Sequence, residues 1–192
     1  MRRRRDPEAL GHHDRSDVGV NDDRGSAAPD ADDRPGSDDH APRVVVESAP
    51  DRVERRSMVI DAPPSAIFDL LADPRRHHRF DGSGTVRQSA DDAPERLSLG
   101  AEFGMGMKRF VPYRMTNEVV EFTENEAIAW RHLGGHVWRY TLEPHGSGTK
   151  VTEEFDWRPS RIPWILIATR TPRTNAASIE ATLRRLASIV TG

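Results

Sequence analysis

The chain has 192 residues, no cysteine, 28 Lys and Arg residues against 31 Asp and Glu residues, and 35% hydrophobic residues. This length and composition predict one globular domain. The absence of cysteine excludes a disulfide framework, a cysteine-ligated metal centre and a thiol nucleophile. No apolar run approaches the length that spans a bilayer.

The charge is unevenly distributed along the chain. Residues 1–50 carry 8 Arg against 12 acidic residues, whereas residues 51–192 carry 20 basic against 19 acidic residues. A nearly neutral body excludes the basic surface of a nucleic-acid-binding domain. Four arginines follow the first methionine, but Asp6, Pro7 and Glu8 stand where a signal peptide needs an apolar run. We therefore expect a cytoplasmic protein.

The N-terminal quarter has too few apolar side chains to form a core. Between positions 6 and 42 the only branched or long apolar residues are Leu10, Val18 and Val20. Such a segment cannot offset the entropy lost on ordering, so residues 1–48 are predicted to be a disordered tail. Residues 44–46 are interpreted either as a short strand or as the hinge to the folded part.

A strand and a helix open the folded part, which is expected to span residues 51–192. Residues 53–60 have β-rich ends and predict the strand. Two adjacent prolines then mark the start of a helix, and a later Asp-Pro pair ends it. Residues 75–80 predict one further helical turn. The apolar positions of the first helix, spaced i, i+3 and i+4, are Ile67, Leu70 and Leu71.

The next seventy residues alternate with the period of two that is typical of strands. Their connections are too short for parallel crossovers, so consecutive antiparallel hairpins are predicted. The expected strands are residues 85–89, 103–108, 113–122, 128–132, 137–142 and 151–157.

Helical spacing returns near the C-terminus at Ile179, Leu183, Leu186 and Val190. The order of elements predicts an α+β fold. A curved antiparallel sheet of about six to seven strands is expected to wrap around this long C-terminal helix, with two short helices after the first strand.

Several segments within residues 52–190 agree in order and spacing with those of a known superfamily: residues 58–74, 129–131, 137–144, 148–153 and 181–186. They resemble the START-like, Bet v 1-like superfamily (SRPBCC), which includes polyketide cyclase/dehydrase and lipid-transport proteins. The resemblance implies a helix-grip fold with an apolar cavity between the sheet and the long helix. It also implies a small hydrophobic ligand of lipid-like, aromatic or polyketide-like type.

Alternation identifies the side chains that could face such a cavity. Trp138 and Tyr140 share one face of their strand, and Phe155 and Trp157 share one face of the next. These apolar faces are expected to point inward, where they line a ligand cavity or simply fill a core. The candidate ligand-binding residues are Phe80, Phe103, Met105, Met107, Trp130, Trp138, Tyr140, Phe155, Trp157, Ile179 and Leu183.

Glu153 is the candidate catalytic residue, together with Tyr140. Alternation places its carboxylate among apolar side chains on the inward face, where an unpaired charge costs several kcal/mol. The group should therefore be paired, protonated or used. Arg114, Arg173 and Tyr140 are candidate partners. Two interpretations stay open: a general acid or base for an aldol-type cyclisation or a dehydration, and a structural ion pair.

The histidines form no pattern typical of a metal site. His77 and His78 are adjacent, and are expected near the cavity mouth as possible proton shuttles. His132 and His136 flank two glycines and are expected to be solvated at a hairpin tip. Gly104-Met105-Gly106 lacks the helix and third glycine of a dinucleotide site. We therefore expect neither a metal nor a cofactor.

The apolar run at residues 162–168 is too short to span a membrane. It is interpreted as the buried first part of the C-terminal helix, kinked or broken at Pro172. The alternative is an exposed lid that contacts a membrane or a partner.

The sequence as a whole favours a protein that binds a small hydrophobic ligand. One alternative is a metal-independent polyketide cyclase or dehydratase that uses acid–base residues in the cavity. A second alternative is a partner-binding protein with a filled core and an exposed apolar patch. The sequence leaves the oligomeric state open.

Overall fold

The computed structural model describes residues 42–89, 93–108 and 112–192. Side chains at positions 88, 89, 108 and 112–114 are outside this description. Contacts divide the chain into residues 1–39 and residues 40–192, and every described residue belongs to the second unit. Most of the segment predicted to be disordered therefore lies outside the described residues, and that expectation stays a prediction.

One antiparallel sheet and a set of helices form the described part of the chain. The strands are β1 (Val45–Val46), β2 (Val53–Ile60), β3 (Val86–Ser89), β4 (Glu102–Lys108), β5 (Pro112–Thr123), β6 (Ala127–His132), β7 (Val137–His145) and β8 (Gly148–Asp156). The α-helices are α1 (Pro64–Ala72), α2 (His77–Phe80), α3 (Pro163–Ala168) and α4 (Thr171–Thr191), and a 3-10 turn at Pro74–Arg76 precedes α2.

The strand order is β1-β2-β8-β7-β6-β5-β4-β3. Every neighbouring pair is antiparallel, and β2, which comes early in the chain, pairs with the last strand. This arrangement confirms the predicted α+β, helix-grip-like fold. The described sheet has eight strands because Val45–Val46 pairs with β2, which agrees with the strand interpretation of that segment.

The register between β7 and β8 sets the inner surface of the sheet. Tyr140 lies opposite Glu153, Trp138 lies opposite Phe155, and the pair one step further along consists of Leu142 and Val151. Alternation therefore predicted the inward faces of both strands correctly, because side chains at i and i+2 share a face.

The outer face of the same strands carries a ladder of ion pairs. Glu154 is 7% exposed and accepts hydrogen bonds from Arg55 on β2 and from Arg139 on β7, the second at 3.1 Å. Arg139 also reaches over Ala129 on β6 to Glu121 on β5, at 2.7 Å. The long arginine side chains thus cover Glu154 while their own charges stay near solvent.

The long helix α4 packs its apolar stripe against the concave face. Ile179, Leu183 and Leu186 are fully buried, as their spacing predicted. The helix begins after Arg170, which adopts the left-handed conformation (φ 54°). Pro172 lies in the first turn, where its missing N–H leaves no intrahelical hydrogen bond unmade.

The apolar run before α4 is a separate short helix, so its interpretation as a buried part of the C-terminal helix is wrong. In α3 only Leu166 is buried, whereas Trp164 is 69% exposed and Ile167 is 58% exposed. The chain breaks at Arg170 rather than at Pro172. Leu166 is thus the one buried residue of α3, Ile165 is half-buried, and Trp164, Ile167 and Ala168 are exposed.

The loop after α2 is fixed against the middle of α4. The Gly82 amide donates to the hydroxyl of Thr182 at 2.9 Å, and Arg185 donates to the Asp81 carbonyl. A β-carbon at Gly82 would lie 2.0 Å from the Ser178 carbonyl oxygen, so only glycine allows this approach. The loop and the helix therefore meet backbone to backbone and border the space enclosed by the sheet.

Candidate functional site

A cavity of about 380 Å³ lies between the concave face of the sheet and the N-terminal half of α4. The loop after α2 closes another side. The helix contributes small polar side chains, and strands β4 to β8 contribute larger ones. This volume lies within the range of small-molecule sites in proteins. The helix residues that line the cavity are Thr171, Thr174, Asn175, Ser178 and Thr182.

Part of the predicted wall lines this cavity. The residues in this group are Phe80, Met105, Met107, Trp130, Trp138 and Tyr140. They come from α2 and from three strands that alternation had placed on one surface. Aromatic rings and flexible methionine side chains make a wall that suits a flat or irregular apolar molecule.

The other five predicted wall residues are not among the residues that line the cavity. Ile179 and Leu183 are fully buried where α4 contacts the sheet. Phe103 packs behind Trp130, with ring centroids 5.9 Å apart, and Phe155 packs against Trp138 at 4.9 Å. Trp157 is half-buried, with the Arg52 guanidinium 5.6 Å from its ring. Alternation identifies an inward side chain, but it does not distinguish the cavity wall from the packed layer beside it.

Glu153 and Tyr140 lie opposite each other in the β7–β8 pairing, and both line the cavity. Both side chains are buried, with 2% and 3% exposure, and the Glu153 Oε2 atom has no partner among the described residues. Burial raises the pKa of Glu153 well above its ordinary value of 4.5, although the nearby Tyr140 hydroxyl acts in the opposite direction. Burial and Glu153 likewise raise the pKa of Tyr140. The pair therefore favours its uncharged form.

The two arginines considered as partners of Glu153 do not supply a described ion pair. Arg173 is exposed on α4, and the side chain of Arg114 lies outside the described part of the structure. The structural ion pair considered for Glu153 is therefore not seen among the described side chains, and the hydroxyl of Tyr140 is the neighbouring group that favours its ionised form.

His77 lies in the cavity wall and is held in one orientation. Its Nε2 donates to the Leu71 carbonyl at 2.8 Å, and its ring stacks on Trp130 with centroids 5.0 Å apart. Burial lowers the pKa of His77 from 6.5 to about 4, so the ring is neutral at pH 7. The neighbouring His78 is exposed.

His132 and His136 also line the cavity, so the expectation that they are solvated is wrong. Their rings stack with centroids 4.5 Å apart, and the Nδ1 atom of each is enclosed without a hydrogen-bond partner in the described part of the chain. Burial and the neighbouring ring lower the pKa of His132 to about 3, and burial lowers that of His136 to about 4. The hairpin folds inward because the backbone N–H of Arg161 donates to the Gly134 carbonyl at 3.0 Å.

Asn117 is a cavity residue that the sequence reasoning missed. It is 1% exposed on β5, next to His132 in the strand pairing. Its position, two residues from Met115 and two from Val119, places it on the inward face by simple alternation. Asparagine is unfavourable within a strand, so its presence at an inward position was a usable signal.

Asp81, at the rim of the cavity, is bonded within its own turn. Asp81 accepts hydrogen bonds from the Ser83 hydroxyl and from the backbone N–H groups of Ser83, Thr85 and Val86, at 2.8 to 3.1 Å. No lysine or arginine is among the described residues that line the cavity. The described wall therefore offers no positive charge to an anionic ligand.

Metal-binding clusters and membrane-spanning helices are both absent from the described ranges. No group of three or more histidine, aspartate or glutamate side chains is arranged there to hold a metal ion. None of the helices in the same ranges is long and apolar enough to cross a membrane.

A family model described as polyketide cyclase / dehydrase and lipid transport matches residues 52–191. The chain belongs to this family. The match confirms the resemblance to the SRPBCC, Bet v 1-like superfamily and covers the whole element order from β2 to α4. Membership in the family leaves the ligand and the chemistry open, because one fold hosts many functions.

The uncharacterized protein Rv0088 of Mycobacterium tuberculosis (strain H37Rv) is 40% identical over 149 residues. The alignment covers 74% of this chain and 66% of that protein, so the chain spans just under two thirds of the length of the curated relative.

Solved structures show the same fold at low sequence identity. The protein Ms6760 of Mycobacterium smegmatis has a TM-score of 0.58 at 16% identity, covering 78% of this chain and 98% of its own. The Polyketide_cyc-like protein Cgl2372 of Corynebacterium glutamicum has a TM-score of 0.52 at 23% identity, covering 72% and 91%. At these low identities, the two structures support the assignment of the fold alone.

The low pKa of His77 predicts acid sensitivity of the fold. Folded His77 stays neutral down to about pH 4, whereas the unfolded chain takes up this proton below about pH 6.5. The free energy of unfolding should therefore fall as the pH falls through this window, by about 1–3 kcal/mol from this residue. His77→Gln keeps a donor for Leu71 but cannot titrate, so its urea-unfolding free energy should fall less. His78→Gln is the control and should follow the wild type; an equal pH dependence in all three proteins would contradict the assignment.

Proposed function

We propose that this chain binds a small, neutral and largely apolar ligand, of aromatic, polyketide-like or lipid-like type, in the cavity between the sheet and α4. The observation that carries the proposal is the composition of the described wall: tryptophan and methionine side chains around a buried carboxyl group whose pKa is raised by burial. The alternative of a filled core does not account for a cavity of about 380 Å³. The cytoplasmic location remains a prediction from the sequence.

The preference for a neutral ligand follows from electrostatics. Transfer of an unpaired charge into an apolar site costs far more than transfer of a hydroxyl or carbonyl group. The described wall has no cation to compensate an anionic ligand, and burial already disfavours the ionised form of Glu153. A ligand with a hydroxyl or carbonyl group can instead bond to Glu153 or Tyr140.

A second candidate function is acid–base catalysis without a metal, such as a cyclisation or a dehydration. The specific observation in its favour is the Glu153–Tyr140 pair in the cavity. A carboxylic acid that is neutral at rest can donate a proton to a carbonyl oxygen, while a neutral histidine of the wall accepts a proton from the adjacent carbon. The enol formed in this way is the reactive species of an aldol-type cyclisation.

The exposed helix α3 suggests that this chain contacts a membrane surface. Trp164 and Ile167 face solvent, and the segment from residue 158 to residue 179 contains four arginines and no acidic residue. Tryptophan and arginine side chains together favour the interface of an anionic bilayer. The contact would be next to the cavity, because Thr171 and Thr174, which line the cavity, come shortly after α3 in the chain.

The neutral preference predicts a difference between two fluorescent probes of nearly the same shape. N-phenyl-1-naphthylamine is uncharged, and 8-anilino-1-naphthalenesulfonate adds one sulfonate to the same rings. We expect the uncharged probe to bind at least about tenfold more tightly, because the described wall has no partner for the sulfonate. Fluorescence titration of the full chain measures both dissociation constants, and native mass spectrometry of protein from its own host identifies any co-purifying molecule. Tighter binding of the sulfonate, or no binding of either probe, would contradict the proposal.

Proton transfer in the cavity can be tested with 2-tetralone, a neutral bicyclic ketone. In deuterated water, proton NMR follows the exchange of the hydrogens next to its carbonyl. If the chain is a catalyst, it accelerates this exchange, and Glu153→Gln lowers the rate about a hundredfold or more. Thr152→Val, one position away on the outer face, is the control. A wild type that leaves the background rate unchanged would exclude acid–base catalysis on such ketones and favour a carrier.

The membrane contact predicts that the chain floats with vesicles that contain phosphatidylglycerol and not with pure phosphatidylcholine vesicles. Trp164→Ser should reduce the bound fraction about tenfold, because burial of a large aromatic side chain contributes about 1.5–3 kcal/mol. Leu99→Ser changes another exposed apolar residue, which lies between β3 and β4, and should bind like the wild type. Equal flotation of wild type and Trp164→Ser would remove the membrane proposal.

A further inference from the structure

We propose that Asn117, His132 and His136 form a second hydrogen-bonding subsite of the cavity, which binds a hydroxyl or carbonyl group at the far end of the ligand. The ligand is then a flat, neutral molecule of two or three fused rings that carries such a group at each end. This inference rests on the proposed ligand-binding function and adds a length and a polarity pattern to it.

Asn117 is the strongest evidence for this subsite. Its side chain is 1% exposed, and both the amide oxygen and the amide nitrogen are buried without a hydrogen-bond partner among the described residues. Buried polar groups are nearly always bonded, and each that is not destabilises the protein. A valine or threonine would suit this strand position better. An asparagine there is useful if a ligand completes its hydrogen bonds.

The two histidines extend the unpaired polar surface around Asn117. His132 lies opposite Asn117 in the β5–β6 pairing, and His136 stacks on His132. The Nδ1 atoms of both rings are enclosed and have no hydrogen-bond partner within the described ranges, and all three residues line the same cavity. A neutral imidazole has one donor and one acceptor nitrogen, and an amide has both functions. The group can therefore bond to a hydroxyl or a carbonyl, but it offers no net charge to a carboxylate or a phosphate.

The position of this subsite sets the length of the ligand. His136 immediately precedes β7, and Tyr140 lies four residues further along, which corresponds to about 13 Å between their α-carbons in extended backbone. Trp138 lies between them and lines the cavity, and Trp130 is its partner on β6. The ligand therefore meets polar groups at both ends and tryptophan rings in the middle. Two or three fused rings span this distance once the side chains and hydrogen bonds at each end are included.

The test compares 2-naphthol with 2,6-dihydroxynaphthalene, which has a hydroxyl group at each end. Both are titrated by calorimetry against the wild type and two subsite variants. The wild type should bind the dihydroxy compound about tenfold more tightly, the effect of one additional hydrogen bond in a buried site. Asn117→Leu keeps the size of the side chain and should reduce this ratio to about twofold or less. His136→Phe keeps the ring stacking and should also reduce it.

Thermal melting separates a ligand subsite from a structural role. Because Asn117→Leu removes two unpaired polar atoms from the interior, its melting temperature should rise while its preference for the dihydroxy compound is lost. Thr116→Val, the exposed neighbour on β5, is the matched control and should keep the wild-type ratio.

Two different failures can be told apart. If 2-naphthol and the uncharged fluorescent probe bind but the wild type shows no preference for the second hydroxyl group, only the subsite is wrong. The same conclusion holds if Asn117→Leu melts at a lower temperature or keeps the wild-type ratio. If none of the neutral aromatic probes binds, the proposed function itself fails.

Discussion

The pairing register of β7 with β8 is the constraint on which the interior of this protein depends. It sets Tyr140 opposite Glu153 on the concave face and leaves Arg139 opposite Glu154 on the outer face. Because side chains alternate, a slip by one residue would move a tyrosine out of the cavity and an arginine into it. The outer ion pairs favour this register through charge, and the inner face favours the same register through burial of its side chains. No lysine or arginine is among the described residues that line the cavity, so the wall offers no positive partner to an ionised Glu153.

Period-two alternation predicted most of the sheet because each strand buries one face and exposes the other. Inward positions such as Trp138 and Tyr140 therefore repeat at every second residue and can be read without a structure. The apolar stripe of α4 follows from the same logic with a period of 3.6. Local pattern reports which side of an element faces the interior. It does not report how thick the interior is, and for this reason Phe155 and Leu183 could not be separated in advance from side chains that border the cavity.

The features that could not be predicted depend on contacts between distant segments. His132 and His136 flank two glycines, a pattern typical of an exposed turn, yet the segment after β8 bonds to this hairpin and the rings face the cavity. The run before α4 has the composition of a buried helix, but Arg170 breaks the chain and leaves Trp164 outside. Asn117 is polar, so a pattern of apolar side chains does not identify it as a cavity residue. Alternation along β5 predicts its inward position, but only the structure shows that its amide atoms have no partner among the described residues.

The uneven anchoring of α4 affects the dynamics of the cavity. All of its buried residues lie between Ile179 and Ala187, whereas the first two turns border the cavity with small polar side chains and follow a break at Arg170. Local stability depends on buried apolar contacts, so the N-terminal turns open at a lower free energy than the rest of the helix. A ligand that packs beneath these turns restricts their motion and loses part of its binding free energy as conformational entropy. Fraying of these turns would open the cavity on that side while the buried residues keep the rest of α4 packed on the sheet.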